Sequence, residues 1–190
     1  MSRSRAEGER YGASVAEWEH FSKRYRDRLQ TVVSNPTARI SPKSSLRTLG
    51  KVPSRYNRDR EVIGIPDWPR RSLTDRELRT ASTEPDYGIS VRLGQGLAAF
   101  DVDVEDEDLA NLFENTAYKK GFRGLCVRYR KNSPRRLILF RIADSLGKSV
   151  LRSNIDGAGC VEILGDGQQF VAAGAHPSGA RYAWREIRAW

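Results

Sequence analysis

The chain's 190 residues suffice for one domain with a buried hydrophobic core, or for such a core and an N-terminal arm. No apolar run approaches the roughly 18 residues of a membrane span, Met1-Ser2-Arg3-Ser4-Arg5 lacks the apolar segment of a signal peptide, and two cysteines, Cys126 and Cys160, are too few for a disulfide framework or a four-thiolate zinc site, so a cytoplasmic protein without structural zinc is expected. The formal net charge of +9 is uneven, with 14 Lys/Arg against 6 Asp/Glu in residues 1–60 and 19 against 18 thereafter, so the first third either attracts a polyanion or presents an ordinary solvated face.

Residues 13–33 are predicted helical, because Val15, Trp18, Phe21, Tyr25, Leu29 and Val32 recur at spacings of three and four behind Ser14, a suitable N-cap. The other face carries Lys23, Arg24, Arg26 and Arg28, which either solvate an amphipathic helix or track phosphates. Asn35-Pro36 ends the helix. From Asn35 to Trp68, Pro, Ser and Arg recur without periodicity, and an extended segment over the core is expected. Within it Lys43 and Lys51 stand beside small residues, in reach of a phosphate, although the GxxxxGK[ST] spacing of a P-loop is missing. Arg70 to Ala81 reads as a short helix begun at Ser72 or Thr74.

A turn at Glu84-Pro85-Asp86 leads into the alternating strand Tyr87 to Leu93. Gly94-Gln95-Gly96 is expected to fold that strand back as a hairpin on Leu97-Ala98-Ala99-Phe100-Asp101-Val102-Asp103-Val104. Strand side chains alternate faces, so Asp101 and Asp103 project from the same side. Adjacent carboxylates repel, and the pair is tolerated when a cation sits between them, most simply a divalent ion that prefers oxygen, such as Mg²⁺ or Mn²⁺. The plainer alternative is a strand running into an acidic loop, Glu105-Asp106-Glu107-Asp108, that caps the next helix. The expected hairpin brings Arg92 near the pair, either to hold a substrate phosphate or to offset the negative charge.

Asp106 to Lys120 is predicted helical, with Leu109, Leu112, Phe113 and Ala117 on one face. No acid occurs between Glu114 and Asp144. That gap holds Lys119, Lys120, Arg123, Arg128, Arg130, Lys131, Arg135, Arg136 and Arg141, threaded through strands Leu125 to Tyr129 and Leu137 to Ile142 with a turn at Asn132-Ser133-Pro134. A hairpin apolar beneath and positive above suits triphosphate or backbone phosphate, or is simply an exposed basic face. The remainder reads as strands Cys160 to Leu164, Gln169 to Ala173 and Arg181 to Arg185, with the loop Gly174-Ala175-His176-Pro177-Ser178-Gly179 before the last. A carboxylate among apolar neighbours is costly unless paired or bound to metal, which makes Glu162 a third ligand beside Asp101 and Asp103, or the partner of an arginine.

Taken in order, Gly50-Lys51-Val52-Pro53, DYGISVRLG at 86–94, LAAFDVDV at 97–104, SPRRLILFR at 133–141 and VEILGDGQQFVAAGAHPSG at 161–179 resemble the primase-polymerase (prim-pol) branch of the archaeo-eukaryotic primase superfamily, found in replication proteins of phages and plasmids. The resemblance implies an α+β fold: an RRM-like antiparallel or mixed sheet with flanking helices, a helical basic arm over residues 1–40 packed on the core, and a catalytic domain over 41–190. It implies Asp101, Asp103 and Glu162 as catalytic ligands of two Mg²⁺ or Mn²⁺ ions. Where the family usually carries a histidine that contacts the incoming triphosphate, Pro134-Arg135-Arg136-Leu137 has none, so Arg136 stands at the expected place. Arg135, Lys51, Arg92, His176 and Ser178 complete the implied nucleotide contacts. Lys23, Arg24, Arg28, Lys43, Arg128 and Arg130 are the implied DNA contacts, with Trp18, Tyr25 or Tyr56 as stacking platforms.

The implied activity is DNA-directed nucleotidyl transfer from a dNTP or NTP to a 3′-hydroxyl on a single-stranded DNA template, in the host cytoplasm if phage-encoded and without a membrane partner. The family often continues into a helicase, and the end at Ala189-Trp190 is expected to be a break in a longer protein. The alternatives are a metal-dependent nuclease using the same acids, a non-catalytic nucleic-acid-binding module of the same fold, and a DxD nucleotide-sugar transferase.

Overall fold

A computed structural model describes residues 10–122, 126–152 and 159–186. The basic residues before position 10, Arg123, Leu125 and Ala189-Trp190, which enter the expectations above, lie outside the described residues. The chain divides into two units, one comprising residues through Ser90 together with Ala173–Ser178, the other Val91–Ala172 together with the segment from Gly179.

The first unit opens on helix α1, Val15–Tyr25, which buries Trp18 and Phe21. Its start is set by a capping box: the Ser14 hydroxyl accepts from the Glu17 N–H, and the Glu17 carboxylate accepts from the Ser14 N–H at 2.7 Å. The helix is shorter than the expected 13–33. A 3-10 turn at Arg26–Arg28 ends it, and Leu29–Val33 continues as strand β1 with all five residues buried. Leu29 and Val32 fit a helical spacing, but Leu-Gln-Thr-Val-Val is rich in β-branched residues and buried on both faces, which suits an interior strand rather than a one-stripe helix.

The stretch expected to be extended contains a small hairpin, β2 (Ser54–Tyr56) against β3 (Val62–Gly64). Ser54 ties it to β1, its carbonyl accepting from Thr31 Oγ1 at 2.8 Å and its hydroxyl from the Val33 N–H at 2.9 Å. Helix α2, Asp75–Thr83, starts at Thr74 through a second capping box with Glu77. Strand β4, Tyr87–Arg92, lies beside β1.

Strand β5, Leu97–Asp103, does not form the expected hairpin with β4. Gln95 and Gly96 (φ 48° and 80°) do close a two-residue turn, across which Gly94 and Leu97 exchange backbone hydrogen bonds of 2.8 and 3.1 Å, but pairing ends at that one bridge and β4 and β5 run into different sheets. The Asp166 carboxylate holds the bend by accepting from the Gln95 N–H at 3.1 Å.

Helix α3, Glu107–Lys119, capped by Asp106, follows β5. Then come β6 (Cys126–Arg130), β7 (Ser133–Arg141), β8 (Ser149–Arg152), β9 (Cys160–Leu164), β10 (Gln169–Ala173) and β11 (Tyr182–Glu186). The second unit is built on a six-stranded antiparallel sheet, in the order β11-β6-β7-β5-β9-β8. The molecule is thus of mixed α+β class with antiparallel sheets. Strand β8 has only four residues, too short an alternation to stand out in the sequence.

One face of this sheet carries Ala98, Phe100 and Val102 from β5 with Val127, Ile138, Phe140 and Val161, in a core that includes Ala110 and Ala117 of α3. Phe100 stacks on Phe140 at 4.5 Å between centroids and meets Phe113 edge-on at 5.3 Å. Leu112, expected on the buried side of α3, is 62 % exposed, and Glu114 is buried instead.

Candidate active site

Alternation along β5 turns Asp101 and Asp103 to the face opposite that aromatic core. Register then decides their neighbours. Asp101 lies directly across from Glu162 on β9 and from Leu137 on β7, Leu137 lies across from Arg128 on β6, and Asp103 lies across from Cys160. Directly opposed residues of antiparallel strands share a face, with Cβ atoms about 4.5–5.5 Å apart. Three acids from two distant stretches of sequence therefore stand on one side of one sheet.

Each of the three meets a cation. Arg128 Nη2 is 3.9 Å from Asp101 Oδ1, Arg135 Nη1 is 2.6 Å from Asp103 Oδ1, and Lys148 Nζ is 3.0 Å from Glu162 Oε1. Arg128 is the deepest of the cations, its side chain 13 % exposed, with Nη1 donating to the Val171 carbonyl at 2.7 Å and its guanidinium 4.5 Å from the Tyr182 ring centroid. Burial raises the Asp101 carboxyl above its ordinary value, Arg128 pulls it down, and the charges of Asp103 and Glu162 push it up again. Among the described residues no three His, Cys, Asp or Glu side chains converge as a formed metal centre. The acids turn to their cations instead.

Arg136, expected on the triphosphate, is on the other face. It lies across from Val102, is 6 % exposed, and pairs with Glu107 and Glu114. The β7 residues that alternate onto the carboxylate side are Arg135 and Leu137, a parity that an ungapped alignment to a histidine motif does not reveal. Arg92 ends β4, and the β4–β5 strand pairing expected to bring it near the carboxylates does not form. Arg128, expected as a DNA contact, has its guanidinium engaged by the Val171 carbonyl and the Tyr182 ring. Arg130, half-buried, donates to Ser133 Oγ at 3.2 Å.

In the first unit, the turn bearing Lys51 sits against the turn bearing His176 and Ser178: a Cβ at Gly50 would lie 3.3 Å from the Pro177 ring. The Ser178 N–H donates to His176 Nδ1 at 3.1 Å and Ser178 Oγ is 2.8 Å from the same atom, which makes Nδ1 the acceptor and Nε2 the donor of the neutral ring. Lys23, Arg24 and Lys43 are exposed and Arg28 is half-buried. The expected stacking platforms are engaged elsewhere. Trp18 is 2 % exposed, Tyr25 stacks on Phe21, and Tyr56 stacks on Tyr87 under the Arg60 guanidinium. Lys148 and Tyr182 escaped the sequence reading, because nothing in their neighbours marks them until β8 and β11 are set beside the acids.

No helix among the described residues is long and apolar enough to cross a membrane. Comparison with curated proteins and with solved structures finds no match. The family model described as bifunctional DNA primase/polymerase, N-terminal, matches residues 24–189, a span that includes all the strands of the carboxylate-bearing sheet. The chain therefore belongs to the Prim-Pol family, the N-terminal domains of bifunctional DNA primase/polymerases.

Proposed function

We propose that this chain catalyses nucleotidyl transfer from a dNTP or NTP to a 3′-hydroxyl on a single-stranded DNA template, with Asp101, Asp103 and Glu162 as ligands of two Mg²⁺ or Mn²⁺ ions. The observation that supports it is the register of Asp101 against Glu162, on the face that also carries Asp103, in a chain of this family. An all-carboxylate donor set suits hard divalent ions rather than zinc. Burial first, and then the charges of Asp103 and Glu162, raise the Asp101 carboxyl, and bound divalent ions would offset both. When bound, they would activate the attacking hydroxyl and stabilise the leaving pyrophosphate.

The protein's own contribution is placement. Arg128, anchored on the Val171 carbonyl, holds Asp101 in orientation, and Arg135 brings a guanidinium fork to the edge of the carboxylate row for an incoming phosphate. Lys51, His176 and Ser178 are the phosphate contacts proposed in the first unit. Lys23, Arg24, Arg28, Lys43 and Arg130 are the proposed DNA contacts, acting through backbone phosphate. Phage or plasmid replication as the setting, and a helicase as partner, follow from the resemblance of the motifs.

A labelled primer–template incubated with Mg²⁺ or Mn²⁺ and dNTPs tests this reading. Extension by the wild type should fall at least about a hundredfold in Asp101→Asn and in Asp103→Asn, with circular dichroism unchanged. Absence of extension, or equal extension by the variants, overturns it, and shortening of the primer would indicate a nuclease.

A further inference from the structure

The three cations that face the carboxylates differ in what else holds them. If a divalent ion takes Asp101, Arg128 keeps the Val171 carbonyl and the Tyr182 ring. If it takes Asp103, Arg135 keeps Glu105, to which its Nε donates at 2.8 Å. Lys148 has Glu162 as its one partner among the described residues. Both members of that pair are reached by water, 44 % and 30 % exposed, and the lysine is a compact charge on a flexible four-carbon stem, unlike the fixed guanidinium forks beside it.

Lys148 immediately precedes β8, the edge strand next to β9. Val150 and Arg152 of β8 lie across from Glu162 and Cys160, on the carboxylate face. This edge therefore presents a second positive side chain on the side that receives the substrates. A carboxylate oxygen cannot serve an ammonium and a divalent ion equally, since the two cations repel. The lysine is the group free to leave.

We propose that Lys148 is a phosphate-binding residue held on Glu162 until a divalent ion displaces it, so that loading the carboxylates releases an ammonium toward the phosphate oxygens of the nucleotide or of the DNA strand. The proposal rests on the metal-site reading above. It makes the effects of removing the lysine opposite in sign: metal binds better, phosphate binds worse.

The test uses Lys148→Ala and Lys148→Arg in the full chain, with melting temperature as a check on folding. Mn²⁺ is titrated calorimetrically without nucleotide or DNA, KM for dNTP is measured at saturating Mn²⁺, and primer–template affinity is followed across salt concentrations. Lys148→Ala should bind Mn²⁺ about two- to fivefold more tightly, as expected on losing a solvent-exposed competing ion pair. It should also either raise KM for dNTP about tenfold, if the triphosphate is the source, or lower the salt slope of DNA binding by about 0.7–0.9, if the strand is. Lys148→Arg should restore the affected arm. Unchanged or weaker Mn²⁺ binding overturns the proposal, as does tighter binding with neither phosphate arm altered, which would leave a plain counter-ion. A wild type that takes up no Mn²⁺ and an Asp101→Asn variant indistinguishable from it would overturn the metal-site reading itself, and the proposal with it.

Discussion

Arg136 and Glu114 form a buried ion pair, Nη1 to Oε2 at 2.9 Å, with side chains 6 % and 9 % exposed, on the side of the six-stranded sheet opposite Asp101. Arg185 Nη1 joins Glu114 Oε1 at 2.7 Å, and Arg136 further donates to Asn111 Oδ1, Glu107 Oε1 and the Pro134 carbonyl. Four of the five guanidinium donors are thereby used. Moving such a fork to a triphosphate would leave the buried Glu114 carboxylate with Arg185 alone.

Glu114→Gln should therefore cost about 1.5–3 kcal/mol of folding stability at neutral pH, by taking a charged acceptor from Arg185 and from Arg136, which keeps Glu107. Burial alone would raise the Glu114 carboxyl, but hydrogen bonds from Arg185 and Arg136, with their charges, hold it below its ordinary 4.5. A depressed folded pKa contributes stability fully above the unfolded value and loses it as pH falls through the folded one. In urea titrations the gap between wild type and variant should be complete at about pH 7 and should close as pH falls below the ordinary glutamate value and through the lower folded one.

Arg136→Ala and Arg135→Ala should separate cleanly although the residues are adjacent. The first removes the buried member of the pair and should cost about 3–5 kcal/mol. The second removes a half-exposed ion pair to Asp103 and Glu105 and should change stability by less than about 1 kcal/mol, while raising KM for dNTP. Urea midpoints and steady-state kinetics on both variants check this, and a stable Arg136→Ala with impaired nucleotide use would contradict it.

Gly159 has φ +85°, and a Cβ there would run into the carbonyl of Asp103. Gly167 has φ +74° with open space around it. Both alanine variants bear the left-handed penalty of about 1–2 kcal/mol, so the difference between them measures the collision alone. Gly159→Ala should be the less stable and should also weaken Mn²⁺ binding, because the backbone it displaces carries Asp103.

Tyr56 donates to Asp86 Oδ2 at 2.6 Å, and Asn35 Nδ2 donates to the same oxygen at 3.1 Å, with Asp86 itself 3 % exposed. Burial, then the hydrogen bond to Asp86 and its charge, raises the Tyr56 phenol well above its usual range. Tyr56→Phe should cost about 1–3 kcal/mol by leaving a buried carboxylate short of a donor. Single-stranded DNA affinity should not change, since the ring is already engaged by Tyr87 and Arg60. A variant of normal stability and reduced DNA affinity would return Tyr56 to the stacking role.

What could be read along the chain was what short-range chemistry decides. The caps at Ser14 and Asp106, a helix start at Ser72 or Thr74, the strands around Asp101 and Glu162, and the shared face of Asp101 and Asp103 depend on residues within a few positions of each other. Leu29 and Val32 misled because their spacing serves a helix as well as a strand, and only burial on both faces distinguishes the two. The parity of Arg136, the pairing of Asp101 with Glu162 and the arrival of Lys148 were decided by strand order and register, which are chosen by what the whole sheet can bury. A one-residue shift of β7 would exchange Arg136 for its neighbours, and no local signal in Pro134-Arg135-Arg136-Leu137 says which side of the sheet each will face.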